Sequence, residues 1–411
     1  MAKGRNQDET IIHIANDADD FGALFRTYLV HRTENLLAEV SKDDSLLDEE
    51  VRSKALAALE FALESSELQS LAGGLLLAMA PKMERAGFRD EWVPLLKRGV
   101  ELEFAVKDRV IKAELLYQLG FLCQLRGHYV EAEGYLLRSI NEFACLQLFS
   151  RQAAVHFRLA YVNRLQRNYG QVRQQIEQGF ALVDDQDPAC AHGYYLRGLL
   201  AYDDNDYVTA IEAYQHSLQL YEIAGDLRMV ALRLGNIGLA FSEWKKFEEA
   251  VRYYHRSIEI FEALQDTAQM AMMKMNLGNI YLLQNEPDAA IALYDMVEPI
   301  FRKNSDELHL ALLYLNYGIA FRLAKQWQKA EQYLLSAIER WQQFNDIHSL
   351  INTLDELGIM YRERGDFSQA KKTFEQAFRL LLQIEHQPGF QRLSERITAH
   401  RNQLEVQFVE R

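Results

Sequence analysis

The sequence predicts an all-α repeat solenoid, and three observations carry that reading. A Gly in the middle of an apolar helical pattern recurs at Gly120, Gly198, Gly238, Gly278, Gly318 and Gly358, with Ala160 in the gap. The spacings are 40, 38, 40, 40, 40 and 40 residues, and Ala80 extends the series one step toward the N-terminus. Self-similarity at a fixed period marks stacked supersecondary units. Second, only 6 prolines occur in 411 residues, and Val/Ile/Thr alternations are few; both favour helices over strands. Third, hydrophobic residues make up 49% and charged residues 25%, enough to bury a sizeable core.

The slots within each unit follow from that reference position. Gly or Ala there, and a small residue twelve on (Ala132, Val172, Ala210, Ala250, Ala290, Ala330, Ala370), let two helices approach closely. A large residue sixteen on (Leu136, Ile176, Tyr214, Tyr254, Tyr294, Leu334, Phe374) fills the space beside that contact. Nine on, after a turn, stands an aromatic residue: Tyr129, Tyr169, Tyr207, Phe247, Trp327 and Phe367, with Pro287 the exception. Asp226, Asp266, Asp306 and Asp346 close the units, where Asp accepts hydrogen bonds from free N–H groups of the next helix. Asp108 occupies the same slot after a degenerate first unit.

These slots resemble the tetratricopeptide repeat, most clearly in Asn276-Leu277-Gly278-Asn279-Ile280-Tyr281 followed by Ala290, Tyr294 and Asp306. The period departs from the usual ~34 residues of that repeat. At 40 residues it resembles the extended repeats of kinesin light chain, of Gαi-regulating cell-polarity adaptors, of bacterial Rap-type peptide sensors and of the sensor arrays in STAND ATPases. The resemblance implies antiparallel helix pairs in a right-handed superhelix, with the first helix of each pair on the concave side.

Four segments are expected. Residues 1–10 form a disordered tail, and 11–78 a helical cap or small bundle with a break at Asp43-Asp44-Ser45. Residues 79–385 form the array, one degenerate unit plus seven, and 386–411 a capping helix rich in Gln, Arg and Glu. Pro81 should kink or end the first helix of the degenerate unit.

Charge and motifs exclude several chemistries. Lys plus Arg number 45 against 59 Asp plus Glu, a net charge of −14, which disfavours phosphate backbones and anionic lipid surfaces. The longest apolar stretch, Leu71 to Ala80, is too short to span a bilayer, and the polar N-terminus lacks a secretory core. Three cysteines, Cys123, Cys145 and Cys190, fit a reducing cytoplasm rather than a disulfide scaffold. Asp20-Phe21-Gly22 has only 19 residues before it, too few for a kinase lobe. The acidic clusters at 184–187 and 203–206 lack a calcium-loop spacing, and Cys190 with His192 lacks two further zinc ligands. No phosphate loop, dinucleotide fingerprint or nucleophile elbow is present. No cofactor and no metal are expected.

The candidate site lies two residues before the reference position, where the sequence reads Gln118, Arg158, Leu196, Asn236, Asn276, Asn316 and Glu356. Three successive Asn residues would stand as a ladder, and Asn has no helix-forming advantage to explain them. A carboxamide offers one acceptor and two donors, enough to hold a peptide backbone. In the families this array resembles, Asn at that slot grips an extended chain; this implies the role for Asn236, Asn276 and Asn316, and by a neighbouring slot for Asn279. Bonding between helices is the competing reading. Arg322 and Arg362 would add charge for carboxylates, or pair with local Glu. Met272 and Met275, three apart in a Met-rich run, would form an adaptable apolar patch or pack between repeats.

The expected function is a non-catalytic cytoplasmic scaffold that binds a peptide segment or protein partner on the concave face, alone or within a larger complex. The alternative is a peptide-responsive regulator of the bacterial Rap-like type, with residues 11–78 as its effector part. No nucleic-acid partner and no membrane insertion are expected.

Overall fold

The computed structural model describes residues 18–42, 47–102, 108–386 and 390–409. The expected tail at 1–10 and the break at Asp43-Asp44-Ser45 lie outside the described residues. Among those described, the secondary structure is helical without a strand. Two compact units divide the chain, residues 1–197 and 198–411, and the division falls within one helix.

The first unit begins with α1 (Ala18–Val40), α2 (Glu49–Ala62), α3 (Gln69–Arg85) and α4 (Arg89–Val100). It continues with α5 (Arg109–Leu125), α6 (Tyr129–Cys145), α7 (Phe149–Leu165), α8 (Tyr169–Phe180) and the start of α9 (Cys190–Asp203). Helix α1 packs on α2 and α3, and from α3 onward each helix packs on the next as far as α8. Pro81 does not end its helix: α3 runs on to Arg85. Met79, Ala80 and Met83 around it are buried, so packing on both sides of the proline holds the turn that its missing N–H weakens.

The second unit holds the rest of α9, then α10 (Tyr207–Ala224), α11 (Leu227–Glu243), α12 (Phe247–Ala263), α13 (Thr267–Leu283) and α14 (Pro287–Lys303). There follow α15 (Glu307–Leu323), α16 (Trp327–Phe344), α17 (Ile347–Arg364), α18 (Phe367–Leu381), a 3₁₀ turn at Leu382–Ile384, and α19 (Phe390–Val409). The pairs α11–α12, α13–α14, α15–α16 and α17–α18 repeat one design.

The period of 40 is the sum of two equal halves. Helix α11 has 17 residues, then come Trp244, Lys245 and Lys246; α12 again has 17, followed by Leu264, Gln265 and Asp266. The middle residue of each trio is left-handed, as at Lys245 (φ 61°), Gln265 (φ 55°), Asn285 (φ 61°) and Ser305 (φ 52°). That residue lets the chain reverse within one position. The Lys245 and Lys246 N–H groups then bond back to the Ser242 and Phe241 carbonyls, both at 2.9 Å, and so satisfy the open end of the helix.

The start of the next helix is closed by aspartate. Asp226, Asp266, Asp306 and Asp346 accept from the N–H three residues on at 3.0, 3.2, 3.1 and 3.0 Å. Asp206 and Asp366 do the same for second helices. Asp108 differs. It precedes α5, but its ψ of 6° departs from the 74–89° of Asp226, Asp266, Asp306 and Asp346, and its carboxylate makes no capping bond.

The reference glycines meet the large residues sixteen on, as their spacing predicts. A Cβ on Gly278 would stand 2.5 Å from the Tyr294 ring, and one on Gly358 2.5 Å from the Phe374 ring. Ser139 and Ser257 tighten the α5–α6 and α11–α12 pairs by donating to the Ala113 and Ala231 carbonyls at 2.8 and 2.7 Å.

One buried histidine in the first unit ties stability to pH. His156 is 8% exposed, and its Nδ1 lies 2.7 Å from Gln175 Oε1. Burial holds its pKa below the ordinary 6.5, so the neutral ring is favoured in the fold. Its contribution is complete above pH 6.5 and is lost as pH falls through the lower folded value. Thermal melts from pH 7.5 to 5 should therefore show falling stability, with a shallower slope in His156→Asn. An unchanged slope in that variant removes His156 as the source.

Candidate partner-binding face

The first helices of successive pairs touch one another in the second unit: α11 meets α13, α13 meets α15, and α15 meets α17. At about 100° per residue, a position two before the reference Gly points some 160° away from the second helix of its pair. Asn236, Asn276 and Asn316 stand there, each partly exposed. Among the described residues their side chains make no hydrogen bond, and none of their polar atoms is sealed from water. Three carboxamides on three successive first helices thus retain their full donor and acceptor capacity.

The other candidate residues separate. Asn279 turns about 100° from the reference direction, and its Oδ1 accepts from the Tyr294 hydroxyl at 2.7 Å. It holds the ring that fills the notch at Gly278. Met275 lies only about 60° from that direction; it is 6% exposed and belongs to the core. Met272 lies further round and is partly exposed. The two methionines therefore do not form one surface patch.

Arg322 is held by carboxylates of the next pair, with Nη1 2.9 Å from Glu363 Oε1 and Nη2 3.4 Å from Glu356 Oε2. Its side chain is 13% exposed. Burial pushes the Glu356 carboxyl above its ordinary range, against the pull of the Arg322 charge. Arg362 donates to Gln403 Oε1 on α19 at 2.8 Å. Both arginines work inside the array, joining neighbouring helices.

Spacing did supply a signal that the ladder alone obscures. Four residues before each Asn stand Leu232, Met272 and Leu312, one turn away on the same face and partly buried. They form an apolar row beside the carboxamides. At the end of the array, Asp355 (2% exposed) is bound by Arg396 at 3.0 Å and His400 at 2.8 Å, both from α19. Helix α19 thereby closes over α17.

Among the described residues, no group of three or more His, Cys, Asp or Glu side chains is placed to hold a metal ion. None of the described helices is long and apolar enough to cross a membrane. The three cysteines are unpaired.

Helix pairs of this length, with small residues at the crossing, define an α-helical repeat array. Tetratricopeptide repeat sequences match residues 187–263, 234–303, 266–343 and 309–383. Residues 187–383 carry tetratricopeptide repeats. A similar solved structure is the STAND signal-transduction ATPase with a tetratricopeptide repeat sensor from Pyrococcus horikoshii. It has TM-score 0.61 and 14% identity, covering 92% of this chain and 67% of that one. Aspartyl phosphate phosphatase F from Bacillus subtilis has TM-score 0.54 and 14% identity, covering 86% and 93%. A Rap protein complexed with competence and sporulation factor has TM-score 0.53 and 13% identity, covering 83% and 99%. At these identities the likeness establishes the fold alone. No curated protein matches the sequence significantly.

Proposed function

We propose that the protein is a non-catalytic scaffold of a reducing, cytoplasmic compartment that holds an extended segment of a partner polypeptide on the first-helix face of its second unit. Asn236, Asn276 and Asn316 bond the partner's backbone. Leu232, Met272 and Leu312 contact its apolar side chains. The observation that carries the reading is the set of three carboxamides, one per successive pair, partly exposed and without a hydrogen bond inside the fold. Arg322, Arg362 and Asn279 keep the array in register rather than touching the partner.

The test is Asn276→Ala, measured against the protein that copurifies with the intact chain. Affinity should fall by about 0.5–1.5 kcal/mol, or more where a partner group is left buried and unpaired. The melting temperature of the free chain should stay at the parental value, because Asn276 makes no side-chain hydrogen bond among the described residues. A lower melting temperature with unchanged affinity would make the Asn residues helix–helix fastenings and end this reading.

A second reading rests on the similarity to a Rap protein complexed with competence and sporulation factor, which covers 83% of this chain. In it the same face takes a short free peptide, and helices α1 and α2 carry the response. Recovery of a short peptide, rather than a protein, from the purified chain would select it.

A further inference from the structure

We propose that the edge of the second unit where second helices turn into first helices is a docking surface for a basic amphipathic helix of a partner protein. This edge is separate from the first-helix face and acts without the asparagine ladder.

The chain makes this reversal at the left-handed residues Gly225, Gln265, Ser305 and Asn345. Each turn presents a large apolar side chain to water. Ile223 and Leu227 flank the first, Leu264 the second, Leu308 the third and Phe344 the fourth, all between 41 and 78% exposed. These side chains do not close the turns. At the first, the Gly225 and Asp226 N–H groups bond back to the Glu222 and Tyr221 carbonyls, both at 3.1 Å, and Asp226 caps the next helix. A single exposed leucine means little. An apolar residue at every turn of one edge is a feature of the surface.

The turns form a row with a measurable step. Arg228 at the first turn bonds Asp266 at the second at 3.0 Å, and the first helices that follow the four turns touch one another in order. Helices in contact lie about 8–10 Å apart. Seven residues of α-helix advance about 10.5 Å, so a helix laid across the turns meets one of them per heptad, along a single apolar stripe. An extended chain covers that step in about three residues, which sends successive contacts to opposite faces. The row therefore fits a helix.

The charge at the turns sets the sign of the partner. Glu222, Asp226, Glu262 and Asp346 have no basic partner among the described residues. The bases there are mostly engaged: Arg228 by Asp266, Arg302 by Glu298 and His309 by Asp306. Against these four carboxylates stands Lys303, which pairs with no acid among the described residues. An apolar row set among unmet carboxylates is complementary to a helix with an apolar stripe flanked by Lys or Arg.

The probe is a fluorescently labelled peptide of three heptads with both ends blocked. It carries Leu at the first and fourth positions of each heptad, Lys at the fifth and seventh, and Ala elsewhere. Anisotropy on titration with the intact chain gives the affinity. A peptide of the same composition with its leucines spread around the helix should bind about tenfold more weakly or worse. I223S/L264S, which leaves the charge untouched, should weaken the striped peptide about tenfold or more. E222K/E262K should weaken it about fivefold or more, although the chain stays strongly acidic. N276A should bind it as the parent does. All four substituted edge side chains are exposed, and melting temperatures establish that each variant is folded; should the serine pair melt below the parent, the lysine pair decides. Equal affinity for the two peptides, an affinity that survives the deciding pair, or no binding at all overturns the proposal. Loss of binding in N276A places the helix on the first-helix face instead, which overturns the edge and leaves the asparagine reading standing.

Discussion

Trp341→Ala should produce the largest loss of stability of any single change in the second unit, about 3–5 kcal/mol. The indole is 1% exposed in α16 and is among the largest fully buried side chains. Its backbone carbonyl also accepts from the Asp346 N–H at 3.1 Å, which closes the turn into α17. The vacated volume lies in the core that α16 shares with neighbouring helices, and in a stacked array such damage falls on nearest-neighbour interfaces. Urea denaturation should therefore show a lower midpoint, with α15 to α18 exchanging amide hydrogens first. The indole N–H has no hydrogen-bond partner. Trp341→Phe, which removes that unmet donor and keeps a ring, should cost clearly less than Trp341→Ala. Equal losses for the two would show that ring volume does not set the stability here.

Gly278→Leu should rank next, at about 1–3 kcal/mol or more. A single Cβ already falls 2.5 Å from the Tyr294 ring, and three further carbons have no space to enter. Tyr294 cannot move aside cheaply, because Asn279 holds its hydroxyl and the ring packs against Tyr317 at 5.3 Å. Pairing Gly278→Leu with Tyr294→Ala should recover part of the loss, a non-additivity expected of residues in direct contact. Thermal melts of the two single variants and the double variant measure it. Additive losses would mean that the two residues do not meet.

The helix pairs were legible because their crossings are made by residue size, and size survives in sequence as a period. Gly278, Ala290 and Tyr294 are three readings of one close contact. The turns were less legible. Nine of the thirteen left-handed residues are not glycine, so the usual punctuation is missing at Lys245 or Lys325. Only the regular spacing of the flanking slots places them. The site was legible in part. The recurrence of Asn236, Asn276 and Asn316 is a sequence fact, but their freedom from internal bonds is a matter of geometry. Arg322 was misplaced because its partner Glu363 lies 41 positions away, in the next pair. Met275 was misplaced because one step of three residues turns a helix through about 60°, enough here to carry a side chain from the surface to the core.

The rhythm of 17 helical residues and three turn residues from α11 to α15 makes that stretch divisible. A cut after Gln265 and another after Ser305 remove 40 residues and join a left-handed turn residue to Asp306, the same kind of junction as before. Such an array can be lengthened or shortened by whole steps without new turns or caps. Each step adds or removes one first-helix position of the slot that holds Asn236, Asn276 and Asn316.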